Sequence, residues 1–430
     1  MILHKIQKLK TIYILSILLC IILHFLYGRQ WGYDTISYIR AWDKISNFQI
    51  DIWRTPTYPI FIGILKKVFG TDFLIAGVII QHIIFLTSIR YFNLLSNYIT
   101  KNEIISWWLT AIYALYPCIP TWNCFIQTEA FAIYSMVFLL YSVVKLQKEM
   151  KLVYLCSFTF WLLFHIFLRP SQIYLLPILG LGFTLLYAKN KSNKALAIKG
   201  IVCILFAGIC MTFYVFSFKR TYGVFTPCGI GVLNKYCMLR KANILNEETI
   251  YNTELRKYIK GKNELYKQTK TPIDSVDLYK EAEYGIETYG LKLVAEELSN
   301  TPNETIGYYI KSLIQRIQEA SYDSFLYTYL YKWTKLAIIN DIIGVRLNTI
   351  YAVTLIFLLL LIHYYRQAKT IPWFSITLSL ITICQLITTI IACQNEWGRL
   401  IMPAISVYLI IIGQICSSLQ LSKKQHYIFE

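Results

Sequence analysis

The segment Trp31–Pro59, WGYDTISYIRAWDKISNFQIDIWRTPTYP, follows directly on the first apolar run and mixes charged with aromatic residues. Its charged members are three aspartates and three cations, namely Asp34, Asp43, Asp51, Arg40, Lys44 and Arg54. Charged and aromatic side chains beside an apolar run are typical of the membrane interface, where lipid headgroups lie. The segment therefore predicts a loop at a bilayer surface, with the rest of the chain arranged to hold it there.

The composition indicates a membrane protein. The 430 residues are 56% hydrophobic and 15% charged, with a mean hydropathy of +0.48, whereas soluble domains carry about 25% charged residues. Apolar runs of about 20 residues, long enough to cross a hydrocarbon core, recur from end to end. The predicted fold class is an all-α polytopic membrane protein with about ten transmembrane helices.

The apolar runs also give the predicted order of spans. They are Thr11–Tyr27, Phe73–Leu95, Ile104–Tyr116, Glu129–Lys145, Leu152–Leu168, Ile173–Leu186, Ile198–Phe218, Leu347–Tyr364, Ile371–Ala392 and Leu400–Leu419. The shorter run Tyr58–Phe69 ends in two lysines and predicts an amphipathic helix lying in the interface.

Three regions follow from this order. Residues 1–218 are the N-terminal transmembrane module, with an outer loop at 28–72, and residues 346–430 are the C-terminal transmembrane helices. Between them, residues 219–345 have nearly balanced acids and bases without long apolar runs. Segments such as DLYKEAEYGIETYGLKLVAEEL predict amphipathic helices there. We therefore expect an inserted, mostly helical extracytoplasmic domain.

The net charge of +18 lies mostly in short loops between apolar runs, where it is a topology signal and does not indicate nucleic acid as a partner. The lysine-rich loops fall on one side if both termini are cytoplasmic. The loop around Asp34 then faces outward. We expect a multi-pass protein of a bacterial inner membrane, in contact with membrane lipids and with its active site outside.

Cysteine and histidine patterns indicate no metal site. The sequence contains no C-x-x-C pair, and its six histidines are scattered. Two cysteine pairs near the predicted span ends, Cys118 with Cys124 and Cys228 with Cys237, could form disulfides, although free thiols are the expected state.

The ionisable residues at the predicted outer ends suit one reaction, the transfer of a sugar from a polyprenyl phosphate to an acceptor. The acceptor needs a base, which a carboxylate can supply, and the phosphate leaving group needs cationic donors. Asp34 is the candidate base. The candidate cations are Arg54, Arg169 and Arg399, and no metal or other cofactor is expected, with a divalent cation left open.

The order of these features resembles the GT-C glycosyltransferases, in the branch of protein O-mannosyltransferases and lipid A aminoarabinose transferases. Five stretches carry the resemblance, in the N-terminal two-fifths and one C-terminal turn: GYDTISYIRAW, RTPTYPIFIGILKKVFG, FIQTEAF, FLRPS and NEWGRLIMP. Two positions depart from the family pattern. Thr35 stands where many relatives have a second acid, and Leu400 stands where the family often has Tyr.

The resemblance implies that Asp34 is the catalytic base, that transfer inverts the anomeric centre, and that the donor is a polyprenyl-phosphate-linked sugar. The expected acceptor is a lipid, a glycan or a protein. The candidate substrate-binding residues are Tyr38, Arg54, Tyr58, Glu129, Arg169, Glu396 and Arg399.

Structural alternatives exist for the same residues. Asp34 could cap a short helix, Glu129 could cap the fourth span, and Arg399 could pair with Glu396. Asp43 and Asp51 are expected to be solvated loop acids, and Tyr38 and Trp53 fit an interfacial aromatic belt. At the level of function, an O-antigen polymerase or ligase, a transporter and a scaffold without chemistry stay open. Loss of Asp34 would separate the first of these from a sugar transferase.

Overall fold

The computed structural model describes residues 2–28, 34–189, 194–269, 275–300, 347–368, 372–392 and 397–420. In these ranges the chain forms helices and their connections, with no β-strand. The helices before the inserted segment are α1 Ile2–Tyr27, α2 Thr35–Ile45, α3 Thr57–Phe69, α4 Phe73–Thr100, α5 Glu103–Leu115, α6 Cys118–Thr121, α7 Thr128–Glu149, α8 Leu152–Leu168, α9 Leu175–Lys189 and α10 Lys194–Tyr222. The later helices are α11 Ile230–Lys241, α12 Thr253–Thr269, α13 Ser275–Tyr289, α14 Leu291–Ser299, α15 Leu347–Ala368, α16 Trp373–Ala392, α17 Trp397–Ile401 and α18 Ile405–Gln420.

The prediction of an all-α polytopic membrane protein is confirmed. Within the described ranges, nine helical segments are long and apolar enough to cross a membrane, and Leu152–Leu168 adds a shorter apolar helix. The last span differs in detail from its predicted start at Leu400. The segment begins as α17, continues as a 3₁₀ turn at Met402–Ala404, and becomes α18 at Ile405. Pro403 lacks an amide hydrogen, which favours a break in a continuous helix at this point.

Helix α7 lies at the centre of the bundle. In its most apolar stretch 89% of the residues are buried, whereas the share in the most apolar stretch of α1 is 22%. Helices α4 and α8 pack along it, and the 3₁₀ turn before α18 contacts it as well. Because α7 is surrounded by protein, a charged residue at its end meets protein groups instead of lipid. This places Glu129, in the first turn of α7, inside the molecule.

Helices α2 and α3 form a hairpin against α4. Gly63 lacks a side chain where the Trp42 ring packs, and a Cβ atom there would overlap that ring. Helix α3 buries Ile62 and Leu65, and its exposed side carries Ile64 and Val68 together with two lysines, so one face is apolar and the other mixes apolar and basic residues. After α3, Gly70 adopts φ +56, a left-handed conformation that glycine tolerates at a helix C-terminus. The chain then turns directly into α4.

The loop before α3 corrects one sequence expectation. Asp51 is 4% exposed and is not a solvated acid. Its Oδ1 accepts hydrogen bonds from the amides of Trp53 and Arg54, both at 2.8 Å. An aspartate that accepts from amides two and three residues ahead stabilises a turn. Asp43, by contrast, is exposed as expected, with a side-chain exposure of 63%. The sequence pattern alone does not distinguish these two aspartates.

The described part of the inserted segment has a hydrophobic core of its own, formed by α11 to α14 together with the end of α10. Ile52 and Trp53 of the loop before α3 belong to the same core. The amide of Gly229 donates to the Ile52 carbonyl at 2.7 Å, and the Tyr222 hydroxyl donates to the Ile50 carbonyl at 2.6 Å. The inserted segment is thus fastened to the loop that follows α2. Cys118, Cys124, Cys228 and Cys237 are not joined in disulfides.

Candidate functional site

Five charged side chains from distant parts of the sequence meet at one end of the bundle. Two are carboxylates, Asp34 at the start of α2 and Glu129 in the first turn of α7. Three are guanidiniums: Arg54 before α3, Arg169 immediately after α8, and Arg399 in α17. Ion pairs of 2.5–3.6 Å join them into one chain of contacts. We call these five residues the charged cluster.

Asp34 is held by two arginines. Its Oδ1 accepts from Nη2 of Arg54 at 2.6 Å, and its Oδ2 accepts from Nη2 of Arg399 at 2.5 Å. It occupies the N-cap position of α2, yet its side chain makes no capping hydrogen bond. Burial raises the pKa of the Asp34 carboxyl, but the Arg54 and Arg399 guanidiniums lower it by more. The net pKa lies well below its usual range, so the group is a carboxylate at neutral pH.

Glu129 is the buried partner of two further arginine contacts. Its side chain is 0% exposed, and its Oε1 accepts from Nε of Arg399 at 2.6 Å and lies 3.6 Å from Nη2 of Arg169. The other oxygen, Oε2, has no hydrogen-bond partner among the described residues, and the same holds for Nη1 of Arg169. Unpartnered buried polar atoms are costly. A bound polar group near these two atoms would remove that cost.

The charges of the cluster do not cancel. Two carboxylates and three guanidiniums leave one net positive charge. Arg169 and Arg399 are 9% and 7% exposed, so this charge is poorly screened by water. A phosphate group is the complementary ligand, because guanidinium donors match its oxygens in geometry and charge.

Arg54 is fixed by its own surroundings. Its Nε donates to the Ser37 hydroxyl at 2.7 Å and its Nη1 to the Tyr38 hydroxyl at 3.2 Å. The guanidinium also lies 4.4 Å from the centre of the Tyr38 ring, a cation–π distance. Tyr38 is 5% exposed, which places it inside the protein and not in an interfacial belt. Trp53, at 9% exposed, is buried likewise.

The remaining candidate residues lie in different places. Tyr58 packs edge-on against Tyr38 at a ring-centroid distance of 4.8 Å, and its hydroxyl donates to Oε1 of Gln81 at 3.2 Å. Tyr58 is buried, so it packs against the Tyr38 ring from inside the protein. Glu396 lies outside the described residues. Among the residues that are described, no group of three or more His, Cys, Asp or Glu side chains could hold a metal ion.

Helix α13 of the inserted segment lies over the loop that carries Arg54. Nε1 of Trp53 donates to Oε1 of Glu287 at 3.3 Å. One turn earlier, burial and the Glu287 carboxylate raise the pKa of Glu283, while Arg40 and Arg54 oppose this. Glu283 is therefore close enough to Arg54 of the charged cluster for the two charges to interact. The inserted segment therefore borders the site.

The sequence interpretation misses two polar residues, one that contacts the charged cluster and one that is close in sequence to Glu129. Ser37 supplies a hydroxyl to Arg54. Gln127, directly before α7, is 1% exposed, and neither polar atom of its side chain has a partner among the described residues. Its only sequence signal is its position next to the Thr-Glu pair.

An apolar cavity of about 580 Å³ lies between α9 and α10. Ile173 lines one part of it, in the same 3₁₀ turn that follows Arg169. Most of the other lining residues are aliphatic: Leu176, Pro177, Ile201, Ile204, Leu205, Ile209, Met211 and Val215. The cavity is suited to a hydrocarbon chain whose polar end lies near Arg169.

Comparison with solved structures identifies the architecture. The crystal structure of an oligosaccharyltransferase from Archaeoglobus fulgidus, in complex with Zn and sulfate, matches this chain with a TM-score of 0.50 and 12% sequence identity. The fold of this chain is therefore similar to that of the oligosaccharyltransferase. The match covers 95% of this chain and 49% of the oligosaccharyltransferase chain, so this chain spans about half the length of that protein. No protein-family model and no curated protein matches this chain.

Proposed function

We propose that this protein is an inverting glycosyltransferase that moves a sugar from a polyprenyl-phosphate donor to a lipid, glycan or protein acceptor at the outer face of the membrane. The observation that carries the proposal is the charged cluster, in which Asp34 and Glu129 are joined through Arg399. The apolar cavity supports it, because Ile173 of its lining lies in the turn that follows Arg169. Together the cluster and the cavity combine a carboxylate base, phosphate-binding cations and a place for a lipid tail.

In the proposed reaction, an acceptor oxygen or nitrogen attacks the anomeric carbon from the face opposite the phosphate. The bond between that carbon and the phosphate oxygen breaks, and its electron pair leaves with the polyprenyl phosphate. Asp34 takes the acceptor proton. Arg169 and Arg399 stabilise the charge that grows on the phosphate, and Glu129 keeps both arginines in position.

Asp34 needs the donor in order to act. Both of its oxygens accept from arginines, which makes it a weak base. A donor phosphate competes for the same guanidiniums, and each arginine that turns to the phosphate raises the proton affinity of Asp34. The donor would therefore bind before the base becomes effective.

A divalent metal ion does not fit this site well. Both Asp34 oxygens and one Glu129 oxygen are engaged by guanidiniums, which leaves one carboxylate oxygen open. Hard divalent cations need several oxygen ligands. We therefore propose a reaction in which the arginines supply the positive charge.

The test compares transfer of a labelled sugar from polyprenyl phosphate in membranes with matched amounts of wild type, Asp34→Asn and Asp43→Asn. Asp43 is the matched control because it is an exposed aspartate of the same hairpin. We expect the rate of sugar transfer to fall at least about a hundredfold in Asp34→Asn, the scale of a lost general base. Asp43→Asn should transfer sugar at the wild-type rate. Equal activity of all three would refute the role of Asp34. Absence of transfer by wild type would refute the proposed donor or reaction and favour a polymerase or a transporter.

A further inference from the structure

A buried amide network lies behind the charged cluster. Gln172 follows Arg169 by three residues, and its amide donates to the Arg169 carbonyl at 2.8 Å. Its side-chain Nε2 donates to Oε1 of Gln385 in α16 at 2.7 Å. From there, Nε2 of Gln385 donates to the Leu400 carbonyl at 2.8 Å, next to Arg399. Three consecutive bonds thus connect the backbone turns that carry Arg169 and Arg399.

Further bonds fix the orientation of Gln385. The Tyr174 hydroxyl donates to Oε1 of Gln385 at 2.6 Å and lies 2.8 Å from Oε1 of Gln172. Nε2 of Gln385 also lies 3.2 Å from the Thr389 hydroxyl. Gln172 is 0% exposed and Gln385 is 2% exposed. Polar side chains inside a membrane bundle are costly unless they are paired, and every polar atom of Gln385 is paired here.

The charged cluster explains why such a connection is useful. Arg169 and Arg399 approach the same oxygen of Glu129, at 3.6 Å and 2.6 Å. Two buried guanidiniums repel each other, and one carboxylate does not by itself fix the spacing between them. A neutral network that joins their backbones opposes the separation without adding charge.

We propose that Gln385 is a positioning residue that sets the spacing of Arg169 and Arg399, and through them the phosphate-binding geometry. It acts through the Arg169 turn on one side, by way of Gln172, and through the Leu400 carbonyl on the other. The phosphate part of the inference rests on the proposed function, whereas the positioning part does not.

The positioning part is tested by thermal unfolding of the purified full-length protein, without ligand, in a double-mutant cycle of Gln385→Met with Glu129→Gln. Residues that act on one network give non-additive changes. We expect the loss of melting temperature in the double variant to be smaller than the sum of the two single losses. Gln414→Met is the matched control. Gln414 lies in α18, is 2% exposed, and donates to the Ser375 hydroxyl at 2.9 Å, away from both arginine turns. The loss of melting temperature caused by Gln414→Met should add to the loss caused by Glu129→Gln. If the losses for Gln385→Met and Glu129→Gln are additive as well, the proposal is overturned.

The phosphate part is tested by binding of C55 polyprenyl monophosphate to the same proteins in nanodiscs. We expect about tenfold weaker binding for Gln385→Met, equivalent to about 1.4 kcal/mol, and less than twofold change for Gln414→Met. Gln172→Met, which cuts only the Arg169 connection, should fall between them. Equal binding by the Gln385 and Gln414 variants would overturn the link to phosphate. If wild type binds no polyprenyl phosphate, the proposed function fails, while the unfolding cycle still decides whether Gln385 positions the arginines.

Discussion

Arg399 donates from Nη2 to Oδ2 of Asp34 at 2.5 Å, although 365 residues separate them in sequence. The same guanidinium donates from Nε to Oε1 of Glu129 at 2.6 Å. One arginine of the C-terminal turn therefore joins the N-terminal loop to the central helix α7. Because both carboxylates are engaged by one planar group, their relative position depends on its shape as well as on its charge.

The first prediction follows from this shape. Arg399→Lys keeps the positive charge, but an ammonium group is a single point donor and cannot replace two separate nitrogens of a guanidinium. We expect sugar transfer to fall by about 10- to 100-fold, on the scale of about 1.4–2.8 kcal/mol. Arg366→Lys, at an exposed position near the end of α15, is the matched control and should be active. Normal activity of Arg399→Lys would show that charge alone is sufficient.

The pH dependence of transfer gives the second prediction. In the folded protein the pKa of Asp34 lies below its unfolded value of about 3.9, because the two arginines outweigh burial. A depressed pKa means that the ion pairs stabilise the fold above the unfolded pKa, and that this stability is lost as pH falls through the folded pKa. Arg399→Gln removes one of the lowering groups and leaves the burial. We therefore expect the acid limb of residual transfer to move to higher pH in Arg399→Gln.

The measurement for this second prediction is a pH–rate profile of wild type, Arg399→Gln and Arg366→Gln between pH 4 and 8. Arg366→Gln should follow wild type. Because the wild-type pKa of Asp34 lies well below its usual range, wild type should show no acid limb from Asp34 in this window. A profile of Arg399→Gln that also shows no acid limb there, only a reduced height, would mean that Asp34 does not respond to the loss of Arg399.

The sequence predicts the spans well because hydropathy measures how strongly a segment prefers lipid, and each run from the second to the ninth begins and ends close to an observed helix. The first helix ends at Tyr27 as predicted but begins at Ile2, well before the predicted Thr11. The sequence also predicts that Asp34, Glu129, Arg169 and Arg399 lie near the ends of spans on one side. Sequence does not predict which of these side chains meet, because hydropathy gives neither the rotation of a helix about its axis nor the helices that pack against it. The two arginines on Asp34 become visible only in three dimensions.

Gln385 and Asp51 show the same limit from opposite directions. Gln385 lies within an apolar run, where one polar residue hardly changes the mean hydropathy, yet it connects two arginine turns. Asp51 lies in a polar loop, where burial is unexpected, yet it is 4% exposed and organises the turn before Arg54. In both cases a backbone group is among the partners, the Leu400 carbonyl for Gln385 and the Arg54 amide for Asp51, and a sequence pattern does not show which backbone group a side chain will meet.

Glu129 gives the third prediction. Glu129→Gln removes the charge that balances Arg169 and Arg399 while keeping the size of the side chain. Breaking a buried ion pair costs about 3–5 kcal/mol, because the partner charges stay buried. We expect a lower melting temperature together with a loss of transfer. Glu149→Gln is the control at the other end of α7, where the glutamate pairs with Lys145 and Lys151 at the surface. An exposed pair contributes little, so that variant should melt and act as wild type does.

The inserted segment gives the fourth prediction, through Glu281. This side chain is 0% exposed and accepts from Nε of Arg240 and from the Tyr236 hydroxyl, both at 2.7 Å. Glu281→Ala leaves Arg240 buried without its carboxylate, which should destabilise the core of α11 to α14 by about 3–5 kcal/mol. Because that core includes Ile52 and Trp53, its loosening should reach the loop that carries Arg54.

The measurement for this fourth prediction is limited proteolysis of the full-length protein, alongside sugar transfer. Glu283→Ala, on the half-exposed face of α13, is the control for proteolysis. Faster cleavage within 230–300 together with reduced transfer is expected for Glu281→Ala. Faster cleavage with unchanged transfer would show that the inserted segment and the charged cluster are energetically independent.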